Sequence, residues 1–332
     1  MRASLIVYFR YLIFLLIGIL LLVSAFRGQD LNKMLFELQK ADFSWVLLSL
    51  LACLMAHVIR AYRWNLMIGS LGFGTPKLLN TFYAVIIGYL ANLAFPRMGE
   101  VTRCGVIHRT DGIPIVKLVG TVLAERLADL LMLGIVTALA ILFQYNLLSG
   151  FLYNKVLSKL SGRIGDLTLL VFAFFLLVLA LIFFFILMKK KKWGISARIF
   201  QLFSGMKTGI LSVKNIDNKA GFVLSSVLIW VFYGLSSYWC FFALNATSSL
   251  GPGAALSALV FGSLAMIAPV QGGIGAFHWM VSEGLTVYGI TKSDGLAYAL
   301  LIHTSQTLII LLLGAFSLFL LFIRSTQKMK NE

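Results

Sequence analysis

Two short stretches concentrate the residues that could bind or move charge. PRMGEVTR, residues 96–103, sets Arg97, Glu100 and Arg103 directly after an uncharged run, and ERLAD, residues 125–129, sets Glu125, Arg126 and Asp129 inside an otherwise apolar one. On a helix Glu125 and Asp129, four apart, share a face, and Arg126 can approach Asp129 three positions on. Ionised groups within hydrocarbon cost about 2.5–3.5 kcal/mol each on insertion scales, so they face partners or a wet cavity. Arg97 or Arg103 is therefore expected to meet Glu125 or Asp129. Two outcomes are open. The charges form an internal cluster that only locks segments together, or they leave an arginine free to take a lipid phosphate bidentately. In the second case Arg97, Arg103 and Arg126 attract phosphate, while Glu100, Glu125 and Asp129 position them and could relay protons. Gln271, His278 and His303, the last beside Thr304, Ser305 and Gln306, could line the same cavity. Hydrogen-bonded packing accounts for both histidines equally well. His57, with Arg60, Arg63 and Trp64 at the end of an apolar run, reads as interfacial anchoring.

The elements that must carry these residues are membrane helices. Of 332 residues 60% are hydrophobic and 12% charged, with a mean hydropathy of +0.94, against about 25% charged in a soluble domain. Runs at 11–26, 45–59, 127–143, 167–188, 222–244 and 296–323 approach or reach the length that a layer about 30 Å thick demands of a helix. No region is long and polar enough for a separate soluble domain, so residues 1–332 read as one integral-membrane domain. Arg2 and Arg10 precede an apolar core longer than that of a secretory signal. Cys53, Cys104 and Cys240 lie far apart in or beside apolar runs, which fits buried, inert thiols better than a disulfide framework or a metal site.

The net charge of +16 reports topology, not a nucleic acid partner. Basic residues are densest at 189–220, where Ile195, Ile199, Leu202, Phe203, Met206, Ile210 and Val213 recur every three or four positions. This predicts an amphipathic cytoplasmic helix on the anionic inner leaflet; a basic loop that only fixes orientation fits as well. Leu31, Met34, Leu35 and Leu38 predict a second, short amphipathic helix on the opposite surface.

Charge distribution also decides among topologies, and eight spans with the amino terminus outside would favour the cytoplasm only weakly, by sixteen Lys and Arg to eleven. If the runs at 78–95 and 254–268 both crossed the bilayer with the amino terminus inside, eleven Lys and Arg would lie inside and sixteen outside. If each instead turns back to the side it entered from, nineteen lie inside and seven outside. Pro96 and Gly99 would make the first turn, and Pro269, Gly272, Gly273 and Gly275 the second. Such turns are tolerated at membrane depth only against protein or a watery cavity. The expected fold is an all-α polytopic membrane protein with about six full transmembrane helices plus two oppositely oriented re-entrant helical hairpins, eight hydrophobic segments in all. Both termini are expected in the cytoplasm. Opposed broken helices near the midplane are how many transporters build a substrate site.

The order of PRMGEVTR, ERLAD and PVQGGIGAF (269–277), preceded by HVIRAYRW (57–64), resembles the lysylphosphatidylglycerol synthase transmembrane region, also called the flippase-like domain family. The resemblance spans nearly the whole chain. It implies a multi-pass cell-membrane protein, related to the part of the aminoacyl-phospholipid enzymes that moves lipid between leaflets. No aminoacyl-transferase domain follows Glu332, so lipid aminoacylation is not expected. The family often carries glutamate after the glycine turn where this chain has His278, which weakens any cation-linked role for the second hairpin. The expected function is binding or translocation of an anionic phospholipid or a polyprenyl-phosphate-type lipid, without cofactor or metal and without catalysis. The alternatives are a membrane enzyme acting on lipid-linked substrates and a non-transporting scaffold for envelope-biosynthesis enzymes.

Overall fold

The structure is a computed structural model, and it describes residues 2–144 and 212–331. Every regular element among them is helical: α1 (Arg2–Phe26), α2 (Leu31–Gln39), α3 (Phe43–Gly69), α4 (Leu78–Ala94), α5 (Gly99–Asp111), α6 (Ile115–Phe143), α7 (Lys219–Phe241), α8 (Pro252–Ala265), α9 (Ala276–Leu285) and α10 (Lys292–Asn331), with short 3₁₀ turns between some of them. Helix is the economical answer for these sequences, because each apolar run then satisfies its own backbone polar groups. By packing, Met1–Ala140 and Gly205–Glu332 form one unit and Ile141–Ser204 a second. The charged stretches PRMGEVTR and ERLAD both belong to the first. The run at 167–188 and residues 189–211 of the basic segment lie outside the described residues.

Four helices among the described residues are long and apolar enough to cross a membrane: α3, α6, α7 and α10 over Lys292–Ile323. A fifth crossing is available if Leu15–Phe26 and Leu31–Gln39, bent by 93°, act as one broken span. Leu130 and Leu131 on α6 and Leu312 and Phe319 on α10 are largely exposed, as lipid-facing side chains must be. The chain is a multi-pass membrane protein. α3 continues to Gly69, ten residues past the expected end of its apolar run at 59, which carries Arg60 and Arg63 inward. α2 forms over the predicted stripe, but only part of that stripe turns inward: Met34 is buried, while Leu31 and Leu35 stay exposed. Lys33 Nζ clips α2 to Asp294 of α10 at 2.9 Å.

α3 and α7 pack antiparallel along their lengths. Ser49 Oγ donates to the carbonyl of Ser236 at 2.8 Å, and further along Arg63 Nη1 donates to Ser226 Oγ at 3.3 Å. Small residues at the first crossing permit the close approach on which membrane helix pairs depend.

A helical hairpin forms at each proline–glycine motif. In hairpin 1, α4 and α5 run antiparallel: Gly88 and Asn92 lie against Gly99 near the turn, and Asn80 faces Asp111 at 3.5 Å near the open end. In hairpin 2, the Phe277 ring covers Gly262, Phe261 covers Gly284, and Ser257 Oγ meets the Tyr288 hydroxyl at 2.6 Å. Their longer arms, 17 and 14 residues, extend about 26 and 21 Å, short of a hydrocarbon layer about 30 Å thick.

α10 serves as a ruler for their placement. Gly295 packs on Ser282 at the open end of hairpin 2, His303 Nε2 donates to the Gly272 carbonyl at its turn at 2.8 Å, and Gly314 packs on Leu90 of hairpin 1. Residues 303 and 314 are about 16 Å apart along the axis. Hairpin 2 thus occupies one end of α10 and hairpin 1 the other, with their turns facing. The turns touch: Arg97 Nη2 donates to the Ile267 carbonyl at 3.0 Å, and Leu93 covers Gly272.

The glycine turn of hairpin 2 is as expected, with Gly272, Gly273 and Gly275 all at positive φ and Pro269 just ahead. Hairpin 1 corrects the expectation. Pro96 follows the end of α4, but the left-handed residue is Arg97, φ 61°, and Gly99 is already the first residue of α5. Gly99 is needed for closeness. A Cβ there would lie 2.2 Å from the Gly88 carbonyl oxygen.

Candidate functional site

The two acidic residues of α6 that share a face turn toward α3 and hairpin 1. Glu125 is fully buried. Its Oε1 lies 2.8 Å from Arg60 Nη1 and 3.5 Å from Arg63 Nη2, and its Oε2 lies 3.0 Å from Arg103 Nη1. One turn on, Asp129 takes Arg60 Nη1 at 2.7 Å and Arg63 Nη2 at 2.6 Å through separate oxygens. Arg60 and Arg63, three apart on α3, thereby span both carboxylates. Each of these buried charges thus has an opposite charge within 3.5 Å, as burial demands, while Arg60 Nε, Arg63 Nε, Arg103 Nε and Nη2 and Glu125 Oε2 lack a hydrogen-bond partner among the described residues.

The surrounding rings fix these geometries. Trp64 Nε1 donates to Thr121 Oγ1 at 2.9 Å, which holds the indole between α3 and α6, and the Arg103 guanidinium stacks over that indole at 4.6 Å. Tyr233 of α7 lies under Arg60 at 5.9 Å. His57 is buried between Tyr89 and Tyr233, with ring centroids 4.7 and 6.1 Å away, and 3.6 Å from Cys53 Sγ.

Of the residues expected to form a site, Glu100, Arg103, Glu125, Arg126 and Asp129 are brought together. Arg126 lies on the open side of the cluster, its side chain 45% accessible, 3.7 Å from Glu100 Oε1 and 3.9 Å from Asp129 Oδ2. These are loose pairs. Between hairpin 1 and α6 lies a cleft of about 10 Å³, lined in part by Tyr89, Asn92, Glu100, Arg103 and Arg126, room for roughly one water. Arg97 does not join this group. It stands at the tip of hairpin 1 on the Ile267 carbonyl, so of the two arginines expected to reach the carboxylates Arg103 is the one that does.

Gln271, His278 and His303 gather at the turn of hairpin 2. The two imidazole centroids are 4.8 Å apart. His278 Nδ1 accepts the Gly275 amide at 3.3 Å, capping α9, and His303 Nε2 holds the Gly272 carbonyl. Gln271 is buried and opens the 3₁₀ turn Gln271–Gly273. These side chains shape the glycine turn directly. Among the described residues no group of three His, Cys, Asp or Glu could hold a metal ion.

Arg60 and Arg63 are the site residues that reading by sequence misplaced. At the end of an apolar run, beside His57 and Trp64, they resemble interfacial anchors, yet all four side chains are buried. The available signal was their spacing of three, which puts both on one helix face opposite any carboxylate pair spaced by four.

A family profile for the lysylphosphatidylglycerol synthase TM region matches residues 11–314. No curated protein and no solved structure matches the chain. The match covers nearly the whole sequence, and the chain belongs to this family.

Proposed function

We propose that this member of the lysylphosphatidylglycerol synthase TM region family binds the headgroup of an anionic phospholipid or polyprenyl-phosphate-type lipid beside hairpin 1 and passes it between leaflets, the acyl chains staying in the bilayer. The observation that carries this reading is an imbalance of charge. Arg60, Arg63, Arg103 and Arg126 face Glu100, Glu125 and Asp129, so among the described residues the cluster holds one cation more than it neutralises. A cluster serving only to lock helices gains nothing from a surplus charge, whereas a phosphate site needs one. The surplus is accessible at Arg126, next to the touching turns.

In this reading both hairpins are re-entrant, hairpin 1 from the cytoplasm and hairpin 2 from outside the inner membrane, with both termini cytoplasmic. Their shortness, their end-to-end placement along α10 and the distribution of Lys and Arg support it. Cysteines introduced at the exposed His108 and Ser248 test it, because the native cysteines Cys53, Cys104 and Cys240 are buried. An impermeant maleimide should label position 108 only from the cytoplasmic side and position 248 only from the other. Labelling of both from one side would refute opposed entry.

The chain acts here as a carrier, with envelope-biosynthesis enzymes as the partners that supply or consume its lipid. Arg126→Ala tests the carrier role. Its ion pairs are long and half exposed, worth about 0–1 kcal/mol, so the variant should fold normally. Translocation of a fluorescent phospholipid in liposomes should fall about tenfold or more. Undiminished transport would show the surplus charge to be idle, and a chemically altered lipid would identify an enzyme instead.

A further inference from the structure

Resting on that headgroup reading, we infer that the site selects a phosphodiester whose headgroup carries an N–H or O–H donor, against phosphomonoesters and fully methylated headgroups. Three features of the cleft between hairpin 1 and α6 lead there.

The first is Arg103. It is buried to 3% accessibility and lines the cleft. Its Nη1 is committed to Glu125, but Nε and Nη2 have no hydrogen-bond partner among the described residues. Nε and Nη2 form one edge of the guanidinium, the edge that takes two oxygens of an oxyanion in parallel. Leaving such donors buried and unpaired is costly. Stacking on Trp64 holds the ring plane in place, so the edge is preorganised.

The second is Glu100, which also lines the cleft. Its Oε1 faces Arg126 at 3.7 Å, while Oε2 is buried and lacks a partner among the described residues. An anion placed on Arg103 would sit close to this carboxylate. The arrangement is favourable only if the same ligand brings a donor to Glu100. Unpaired donors and an unpaired acceptor thus share one small cleft. A headgroup with phosphate and donor side by side meets both needs at once.

The third is the size of the surplus charge. One extra guanidinium matches the single charge of a phosphodiester. A phosphomonoester carries about two negative charges near neutral pH and would leave one uncompensated beside Glu100. Entry of a headgroup requires the cleft to widen, and Arg126, held among the described residues by long ion pairs, is the wall that can move.

The experiment compares binding of short-chain phosphatidylethanolamine, phosphatidylglycerol, phosphatidylcholine, phosphatidic acid and a polyprenyl monophosphate to the full-length protein in nanodiscs of neutral, donor-free lipid. Phosphatidylethanolamine and phosphatidylglycerol should each bind about tenfold tighter than phosphatidylcholine, the effect of one charge-assisted hydrogen bond. Phosphatidic acid and the polyprenyl phosphate should fall with the weak ligands. Glu100→Ala should erase the difference between ethanolamine and choline headgroups. Arg103→Lys, which keeps the charge on Glu125 but loses the paired donors, should weaken all of them. Equal binding of ethanolamine and choline lipids by the unaltered protein, or a preference for phosphatidic acid, overturns the selectivity while leaving the headgroup reading standing. Absence of binding by every lipid overturns the headgroup reading itself.

Discussion

Glu125→Gln should abolish most of the folded protein, with a loss of about 3–5 kcal/mol. Glutamine keeps the shape and one carbonyl acceptor but removes the charge that three guanidiniums share. Arg60, Arg63 and Arg103 are each at most 6% accessible at the side chain, so no water can take over. Asp129 already holds Arg60 and Arg63 and cannot reach Arg103 without breaking those bonds. Arg103 on α5 would therefore be stranded, and with it the contact that binds hairpin 1 to α6. Thermal unfolding followed by size exclusion in detergent measures the loss. The mechanism makes a second demand: Arg103→Met in the Glu125→Gln chain removes the stranded charge and should recover part of the stability, although each substitution alone is destabilising. A Glu125→Gln protein that melts like the unaltered one would mean that the cluster is hydrated. Additive losses in the double variant would mean that Arg103 and Glu125 do not act as a pair.

Helices and hairpins were legible in the sequence because lipid leaves few alternatives. A long uncharged run must be helical, and a shorter run ending in proline and glycine must turn where protein can receive its backbone. Helix ends were less legible. The apolar run of α3 stops near 59, but the helix continues through Arg60 and Arg63 to Gly69, because carboxylates more than 60 positions away neutralise both arginines. Hydropathy is summed over neighbours in sequence and cannot register a partner so remote. The turn of hairpin 1 failed to show for a related reason. Gly99 looked like the residue of unusual backbone, yet Arg97 adopts it, held by the Ile267 carbonyl of the other hairpin. A non-glycine residue in that conformation is maintained by tertiary contact, and nothing local to PRMG announces it.

The candidate site divides along the same line. Arg103 with Glu125 followed from the cost of unpaired charge in hydrocarbon. That Arg60 and Arg63 complete the group, and that Arg97 is diverted to a neighbouring turn, depend on how α3 and hairpin 2 are packed. The two histidines show the converse. Their neighbours in sequence left a wet cavity and hydrogen-bonded packing both open, and His278 and His303 bond the amide of Gly275 and the carbonyl of Gly272, backbone groups left over by the glycine turn itself.

Gly99→Ala should be strongly damaging, and its effect should exceed what helix propensity alone would give it, in the opposite direction. Alanine favours helix over glycine by about 1 kcal/mol, and Gly99 lies in a helix. The added Cβ, however, would meet the Gly88 carbonyl oxygen at 2.2 Å and Asn92 Nδ2 at 2.6 Å. The first is backbone and cannot rotate away. The second belongs to the side chain whose Oδ1 accepts the Gly99 amide at 2.7 Å, so moving it breaks the bond that starts α5. The arms of hairpin 1 must separate, at about 1–3 kcal/mol for overpacking and more for the lost bond. Arg103 stands one turn beyond Gly99 and would be drawn off Glu125, so lipid translocation should fall together with melting temperature. Gly105→Ala is the internal control: it lies in the same helix, and a Cβ there meets nothing within 4 Å. It should raise stability by about 0.5–1 kcal/mol and leave transport unchanged. Equal responses to the two substitutions would remove the close crossing of α4 and α5, and with it the geometry that presents Arg103 to the cleft.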